Sequence, residues 1–139
     1  MPSLIKYKVV IDTNVFISGI LYGGNAEAIL TLVRDRIVSL VISPETSVEL
    51  FRKLHQFSVE DEIVEDLDIL LDTHTIKVIP NRKIQSSRDP KDNMFLDAAI
   101  AGHADYLISG DKDLLVLKKI ESTAIVSPKN FLMLFKPEK

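Results

Sequence analysis

The sequence predicts an α/β fold with a central, mainly parallel sheet whose two faces are covered by helices. Two observations support this prediction: short apolar runs recur along the chain, and stretches of helical periodicity separate them. Short apolar strands that alternate with helices are typical of parallel sheets covered on both faces. The 139 residues contain no repeat, low-complexity tract or linker-like stretch. We therefore predict one domain that spans residues 1–139.

The predicted strands are apolar runs at positions 8–11, 40–42, 76–79, 106–108 and 124–126. The predicted helices carry apolar side chains at near-helical spacing, at positions 25–34, 45–54, 58–71, 89–102 and 128–135. Asn25, Ser58 and Asp89 are the expected N-caps of three of these helices. Gly102 is expected to end the helix that Asp89 opens.

The composition excludes several classes of protein. The sequence has no cysteine, which removes disulfides, thiolate zinc sites and cysteine nucleophiles. No apolar run approaches the roughly 20 residues that cross a bilayer. The N-terminal segment lacks the long apolar stretch of a signal peptide. We therefore expect a protein without a membrane segment that works in the cytoplasm.

Acidic residues follow four of the predicted strands, at one edge of the sheet. Asp12 ends the first strand, and Glu49 lies in the helix after the second. Asp92 and Asp97 lie in the helix after the third strand, and Asp111 closely follows the fourth. Such sheets bind ligands just beyond the carboxyl ends of their strands. The five acids are therefore our candidate catalytic residues.

The predicted acidic centre needs a cation, because carboxylates held together repel one another and cannot all stay ionised without one. Oxygen ligands with no nearby His or Cys suit Mg²⁺ or Mn²⁺ rather than zinc. Two such ions about 3.5–4 Å apart can activate a water and stabilise the leaving oxygen of a phosphodiester. The pattern therefore indicates a metal-dependent nuclease.

Four of the five acids also have an ordinary structural role open to them. The segment that begins at Asp12 is also typical of a turn that caps a helix. Glu49 has Arg52 within reach for an intrahelical ion pair. Asp111 and Asp113 can cap the next helix, and we expect no further role for Asp113.

Helix geometry distinguishes the two acids that follow the third strand. Asp92 lies four residues before Leu96, on the face that we expect to turn inward together with His103. Asp97 lies about 100° around the helix from Leu96, so we expect it to flank that face. Geometry therefore favours Asp92 as the ligand, although Asp92 can also serve as the capping partner of Asp89.

Four segments, at residues 9–16, 43–54, 89–101 and 104–115, together resemble the PIN domain. They begin with Val-Val-Ile-Asp-Thr-Asn-Val-Phe and end with Ala-Asp-Tyr-Leu-Ile-Ser-Gly-Asp-Lys-Asp-Leu-Leu. The resemblance is strongest to the small prokaryotic PIN proteins grouped with the VapC toxins, and it runs nearly end to end. It implies a three-layer α/β/α fold, Mg²⁺ or Mn²⁺, and hydrolysis of RNA phosphodiester bonds.

The resemblance also assigns site residues. It matches Asp12, Glu49 and Asp111 to the family's acids, and it favours Asp97 where helix geometry favours Asp92. Both stay in the predicted set of metal ligands, which is Asp12, Asp92, Asp97 and Asp111. The resemblance further implies that three residues orient the carboxylates, namely Thr13, Asn14 and Ser109.

The VapC resemblance implies a toxin inhibited by a small antitoxin, and a homodimer. The same domain also serves in RNA processing. The main alternative is a PIN-fold RNA-binding or assembly module with little or no nuclease activity. A receiver-like phosphoacceptor domain is disfavoured, because the third predicted strand ends in Pro80 and the last in Ser127-Pro128.

The charge of the chain limits how RNA can bind. The formal net charge is −3, and it becomes +2 when the five candidate acids are set aside. A diffuse positive field is therefore absent, and binding must depend on the metal and on a local basic rim. The predicted rim flanks two of the acids and consists of Arg82, Lys83, Arg88, Lys91 and Lys112.

Overall fold

The computed structural model of the chain describes residues 6–81 and 92–135. Its strands are β1 (Lys8–Ile11), β2 (Ser39–Ile42), β3 (Thr75–Lys77), β4 (Tyr106–Ile108), β5 (Lys119–Ile120) and β6 (Thr123–Val126). Its helices are α1 (Thr13–Tyr22), α2 (Gly24–Arg34), α3 (Pro44–Gln56), α4 (Asp61–Thr73), α5 (Asn93–Ala101), α6 (Lys112–Leu115) and α7 (Pro128–Leu132). A 3₁₀ turn, Met133–Phe135, follows α7.

The strands form one sheet in the order β3-β2-β1-β4-β6-β5. All neighbouring strands run parallel except β5 and β6, which are antiparallel. This confirms the predicted α/β class and its mainly parallel sheet. The two-residue strand β5 was not predicted, since two residues are too few to show a periodic pattern.

Helices cover both faces of the sheet, because side chains along each strand alternate between the faces. Val9 and Ile11 of β1 belong to one buried cluster with residues of α1, α2, α3, α4 and α7. Val10, between them, belongs to a second cluster with residues of α5 and with Leu114 of α6. The two clusters lie on opposite faces of the sheet, each between the sheet and the helices that cover it. This is the three-layer α/β/α arrangement that the resemblance implied.

The helix α1 was not among the predicted helices, although the segment at Asp12 was recognised as typical of a turn that caps a helix. Most of its residues are apolar and it buries side chains around much of its circumference, so it has no polar face to reveal the helical period. A bend of 106° separates α1 from α2. Gly23 and Gly24 make this bend with φ of 74° and 68°, values that suit glycine.

Two predicted N-caps are wrong. Gly23 rather than Asn25 precedes α2, and it provides no side-chain cap. Ser58 does not cap α4, because it adopts a left-handed φ of 53° in the preceding turn and Glu60 stands at the cap instead. The helix α3 begins at Pro44, where Ser43 and Thr46 form a reciprocal capping box.

The helix α5 ends at Gly102, as predicted, but its predicted opening at Asp89 lies outside the described residues. His103, expected on the inward face of α5, is exposed and lies beyond the helix with a φ of 50°. No single helix in the described part of the chain is long and apolar enough to cross a membrane. The bent α1–α2 pair meets that criterion only when its two helices are taken together, by length and composition.

Candidate active site

The centre of the sheet is the point where the chain changes direction. From β1 the chain continues through β2 and β3 on one side, whereas β4 lies on the other side of β1. In open α/β sheets, such switch points leave a crevice at the carboxyl ends of the two strands. Ile11 and Ile108 are paired as the last residues of β1 and β4. The residues that follow them therefore enter the same crevice.

Asp12 follows β1 and is buried at 3% exposure. Its backbone N–H continues the sheet by donating to the Ile108 carbonyl at 3.0 Å. Its Oδ1 accepts the backbone N–H of Asn14 at 3.1 Å, which caps α1, and its Oδ2 accepts the Ser109 hydroxyl at 2.7 Å. The capping role considered for Asp12 and its place in the acidic centre are therefore compatible.

Ser109 connects the two strand ends. It is fully buried, and its Oγ accepts the backbone N–H of Asp111 at 2.9 Å while donating to Asp12. This geometry fits the orienting role expected of Ser109. Asn14 donates its backbone N–H to Asp12 and is exposed, whereas Thr13 is buried at the first position of α1.

The electrostatics of Asp12 differ from those of a surface carboxylate. Burial raises the pKa of Asp12 above its ordinary value of 3.8, and the hydrogen bonds from Ser109 and Asn14 lower it in part. The negative charges of Asp111 and Glu49 raise the pKa of Asp12 further. Asp12 therefore lies within electrostatic reach of both acids, and a cation at this place would relieve its unfavourable burial.

Asp111 belongs to a group of three carboxylates. It is the N-cap of α6, where its Oδ1 accepts the backbone N–H of Asp113 at 2.8 Å. Asp92, Asp111 and Asp113 each offer one carboxylate oxygen, and these three oxygens lie within 4.8 Å of one another. Asp113 was expected to have no role beyond capping. Its position in the group was not foreseen, although the Asp-x-Asp spacing was visible in the sequence.

The two candidate acids that follow β3 in the sequence lie in different places. Asp92, immediately before α5, is 5% exposed and belongs to the carboxylate group, as helix geometry favoured. Asp97 lies in the middle of α5 and is outside that group of three. It is 6% exposed, so the expectation that it only flanks the buried face of the helix is wrong.

Glu49 forms the intrahelical ion pair with Arg52 that the sequence suggested. Its Oε1 accepts from Nε of Arg52 at 2.9 Å, and its Oε2 accepts from Nη2 at 3.0 Å. The Glu49 side chain is 16% exposed and that of Arg52 is 53% exposed. Glu49 therefore binds Arg52 and acts on Asp12 through its charge. Arg52 itself was not predicted as a functional residue.

Only one residue of the predicted basic rim lies in the described part of the chain. Lys112 is exposed at the first position of α6, next to Asp111. The other four lie outside the described residues, namely Arg82, Lys83, Arg88 and Lys91.

The donor set fits a hard divalent cation. The group consists of carboxylate oxygens, the ligands that Mg²⁺ and Mn²⁺ prefer. Ligands about 2.1 Å from an octahedral Mg²⁺ are at most about 4.2 Å apart, so oxygens spread over 4.8 Å need only small movements to surround one ion. Asp92, Asp111 and Asp113 are the residues that could hold it. Asp12, a predicted ligand, is outside this group of three but within electrostatic reach of Asp111.

The chain belongs to the PIN domain family, whose profile matches residues 8–113. PIN domains are generally nucleases. The uncharacterized protein MJ1680 of Methanocaldococcus jannaschii is 36% identical to this chain over 122 residues, which cover 82% of this chain and 77% of that protein. The family resemblance read from the four sequence segments is therefore confirmed.

The fold is also similar to that of a chain in the crystal structure of VapBC2 from Rickettsia felis bound to a DNA fragment from their promoter. The TM-score is 0.56 at 15% identity, and the match covers 86% of this chain and 98% of that chain. At this identity the match shows a common fold.

Proposed function

We propose that this protein is a Mg²⁺- or Mn²⁺-dependent ribonuclease that hydrolyses RNA phosphodiester bonds at the acidic centre. The observation that carries the proposal is the carboxylate group of Asp92, Asp111 and Asp113, which lies at the switch point of the sheet near buried Asp12. A family whose members are generally nucleases supports the reaction class.

The residues have separate tasks in this proposal. Asp12, Asp92, Asp111 and Asp113 would hold the metal, which supplies charge neutralisation for the phosphate and an activated water when bound. Ser109 keeps Oδ2 of Asp12 in a fixed orientation and also fixes the backbone of Asp111. The buried strands below the crevice exclude water from one side, so electrostatic interactions there are stronger than at an open surface.

A cleavage assay tests the proposal. A mixed RNA pool is incubated with the protein in Mn²⁺ or in EDTA, and the products are separated on a denaturing gel. We expect cleavage only with Mn²⁺ and its loss in Asp12→Asn and Asp111→Asn. Asp68→Asn is the matched control, because Asp68 is an exposed residue of α4. A folded protein that binds RNA but never cuts it would instead support the PIN-fold binding or assembly module.

The proposal extends to a toxin–antitoxin role, in which a small antitoxin protein inhibits a homodimer of this chain. Its support is the fold shared with a chain of VapBC2 from Rickettsia felis, a structure that also contains promoter DNA. Co-expression with the product of a neighbouring short reading frame tests this role. Growth arrest on expression of this chain alone, relieved by co-expression, is the expected result.

A further inference from the structure

The ion pair between Glu49 and Arg52 fixes a guanidinium group beside the acidic centre. Both carboxylate oxygens of Glu49 accept from it, at 2.9 and 3.0 Å, and Nη1 of Arg52 donates to Gln56 Oε1 at 3.5 Å. A two-bond contact of this kind fixes the plane of the guanidinium as well as its position. Arginine has five N–H donors, so these three bonds leave two donors for a further acceptor.

The ion pair between Glu49 and Arg52 contributes little to the stability of the fold. Arg52 is half exposed, and exposed ion pairs typically contribute only about 0–1 kcal/mol. The pair lies within electrostatic reach of the site, because the charge of Glu49 contributes to the raised pKa of Asp12. A cation held at this point reduces the repulsion that a phosphate chain meets as it approaches a group of carboxylates.

An open cavity of about 470 Å³ adjoins the pair, between α3 and the start of α5. Its lining combines apolar and charged side chains, namely Pro44, Glu45, Val48, Glu49, Arg52 and Met94. Val48 is 69% exposed, so an apolar surface is accessible beside the guanidinium. This combination matches a nucleotide, whose base and sugar present weakly polar faces and whose phosphate prefers the donor geometry of arginine.

We propose that Arg52 binds a phosphate of the RNA that flanks the one to be hydrolysed, and that Glu49 positions Arg52 for this contact. The proposal rests on the proposed ribonuclease function, because it names a substrate contact of the same site. Arg52 is thus the substrate-binding residue and Glu49 its positioning residue. The contact reads no base, since it is made to the backbone alone.

Binding of a labelled single-stranded RNA in EDTA, measured by fluorescence anisotropy over a range of salt concentrations, tests the proposal without catalysis. We expect Arg52→Gln to weaken binding about five- to tenfold at low salt. The slope of log affinity against log salt should fall by about 0.7, the value for one lost contact to single-stranded nucleic acid. Arg52→Lys should keep most of the slope but bind more weakly, because lysine has the charge without the two-bond geometry.

The matched control is Arg34→Gln. Arg34 is an exposed arginine at the end of α2, paired with Asp35 at 3.2 Å, and its loss changes the net charge equally. An unchanged slope in Arg52→Gln would overturn the proposal, as would an equal fall in Arg34→Gln or a wild-type protein that does not bind the RNA. If Arg52→Gln fails to fold, the Arg52→Lys variant decides, and wild-type affinity in that variant overturns the contact.

The mass of each variant in solution tests whether a second copy of the chain, rather than RNA, occupies the cavity. If Arg52→Gln weakens RNA binding only by changing the oligomeric state, the cavity lies between two copies of the chain and the proposal is wrong. Cleavage by the wild-type protein in Mn²⁺ tests the ribonuclease function separately from the Arg52 contact. Binding with the expected slope but no cleavage contradicts the function and leaves the Arg52 contact standing.

Discussion

Ser109 donates its hydroxyl hydrogen to Asp12 over 2.7 Å, although the two residues are 97 positions apart in the sequence. They meet because β1 and β4 are neighbours whose last residues are paired. The same hydroxyl accepts the backbone N–H of Asp111, so one buried side chain fixes two of the predicted acids. The orientation of the centre therefore depends on Ser109.

The substitution Ser109→Ala tests this dependence. It leaves the Asp111 N–H without its acceptor and removes a donor from buried Asp12, so we expect a loss of roughly 1–3 kcal/mol in the free energy of unfolding. Because loss of a residue that orients a ligand commonly costs 10–100-fold in metal affinity, we also expect Mn²⁺ to bind at least about tenfold more weakly. Urea denaturation in EDTA and calorimetric titration of Mn²⁺ measure the two effects.

Ser47→Ala is the control for that experiment. Ser47 is half buried on α3, and its side chain makes no hydrogen bond to the residues that the structure describes. Ser47→Ala should therefore change neither the free energy of unfolding nor the affinity for Mn²⁺ by much. A Ser109→Ala protein with the stability and the Mn²⁺ affinity of the wild type would show that Ser109 does not organise the centre.

The burial of Asp12 predicts a pH-dependent stability in the absence of metal. Because its pKa in the folded protein is raised above 3.8, the folded state binds this proton more tightly than the unfolded state. Stability from this group is therefore present at low pH and is lost as the pH rises from 3.8 through the raised pKa. At neutral pH the buried charge remains a net cost.

Asp12→Asn should remove that cost. In EDTA at pH 7 we expect the Tm of the variant to exceed that of the wild type by a few degrees, and we expect the difference to vanish below pH 3.8. The asparagine carbonyl can still accept from Asn14, and its amide can donate to Ser109. Thermal melts across this pH range provide the measurement. A difference independent of pH would mean that the effect comes from packing or hydrogen bonding.

The position of Asp12 at the site could be predicted because a polar residue directly after a buried parallel strand must lie at the carboxyl edge of the sheet. Helix geometry favoured Asp92 over Asp97, and Asp92 is the one in the carboxylate group. The burial of Asp97 could not be read from helical spacing. The helix α5 buries several consecutive residues, so the face assigned from Leu96 was too narrow.

Other features depend on contacts that a linear pattern does not contain. Asp113 was assigned only to helix capping, yet Asp111 is the residue that caps α6 and the Asp113 carboxylate joins Asp92 from a distant segment. The spacing of Glu49 and Arg52 made their pairing visible, but not that the pair adjoins Asp12. Such proximity depends on the packing of α3 against α1 and α5.

The two acids near α5 are distinguished by their response to metal. Since Asp92 contributes an oxygen to the carboxylate group and Asp97 does not, Asp92→Asn should abolish most of the rise in Tm that millimolar Mn²⁺ causes in the wild type. Asp97→Asn should keep most of it. Each variant is compared with its own melting curve in EDTA, so a change in metal-free stability does not affect the comparison. The opposite pattern would make Asp97 the ligand.

Asp113 provides the last test, because its capping interaction and its carboxylate can be separated. Its backbone N–H donates to Asp111, and Asp113→Asn leaves that hydrogen bond in place. The substitution removes a negative charge from a group of three carboxylates and keeps the size of the side chain. The affinity for Mn²⁺ should fall about tenfold or more, since one charged ligand is lost. Calorimetric titration compares this variant with Asp68→Asn, which makes the same chemical change on the exposed side of α4. Equal Mn²⁺ affinity in the two variants would exclude the Asp113 carboxylate from the metal site and restrict that residue to helix α6.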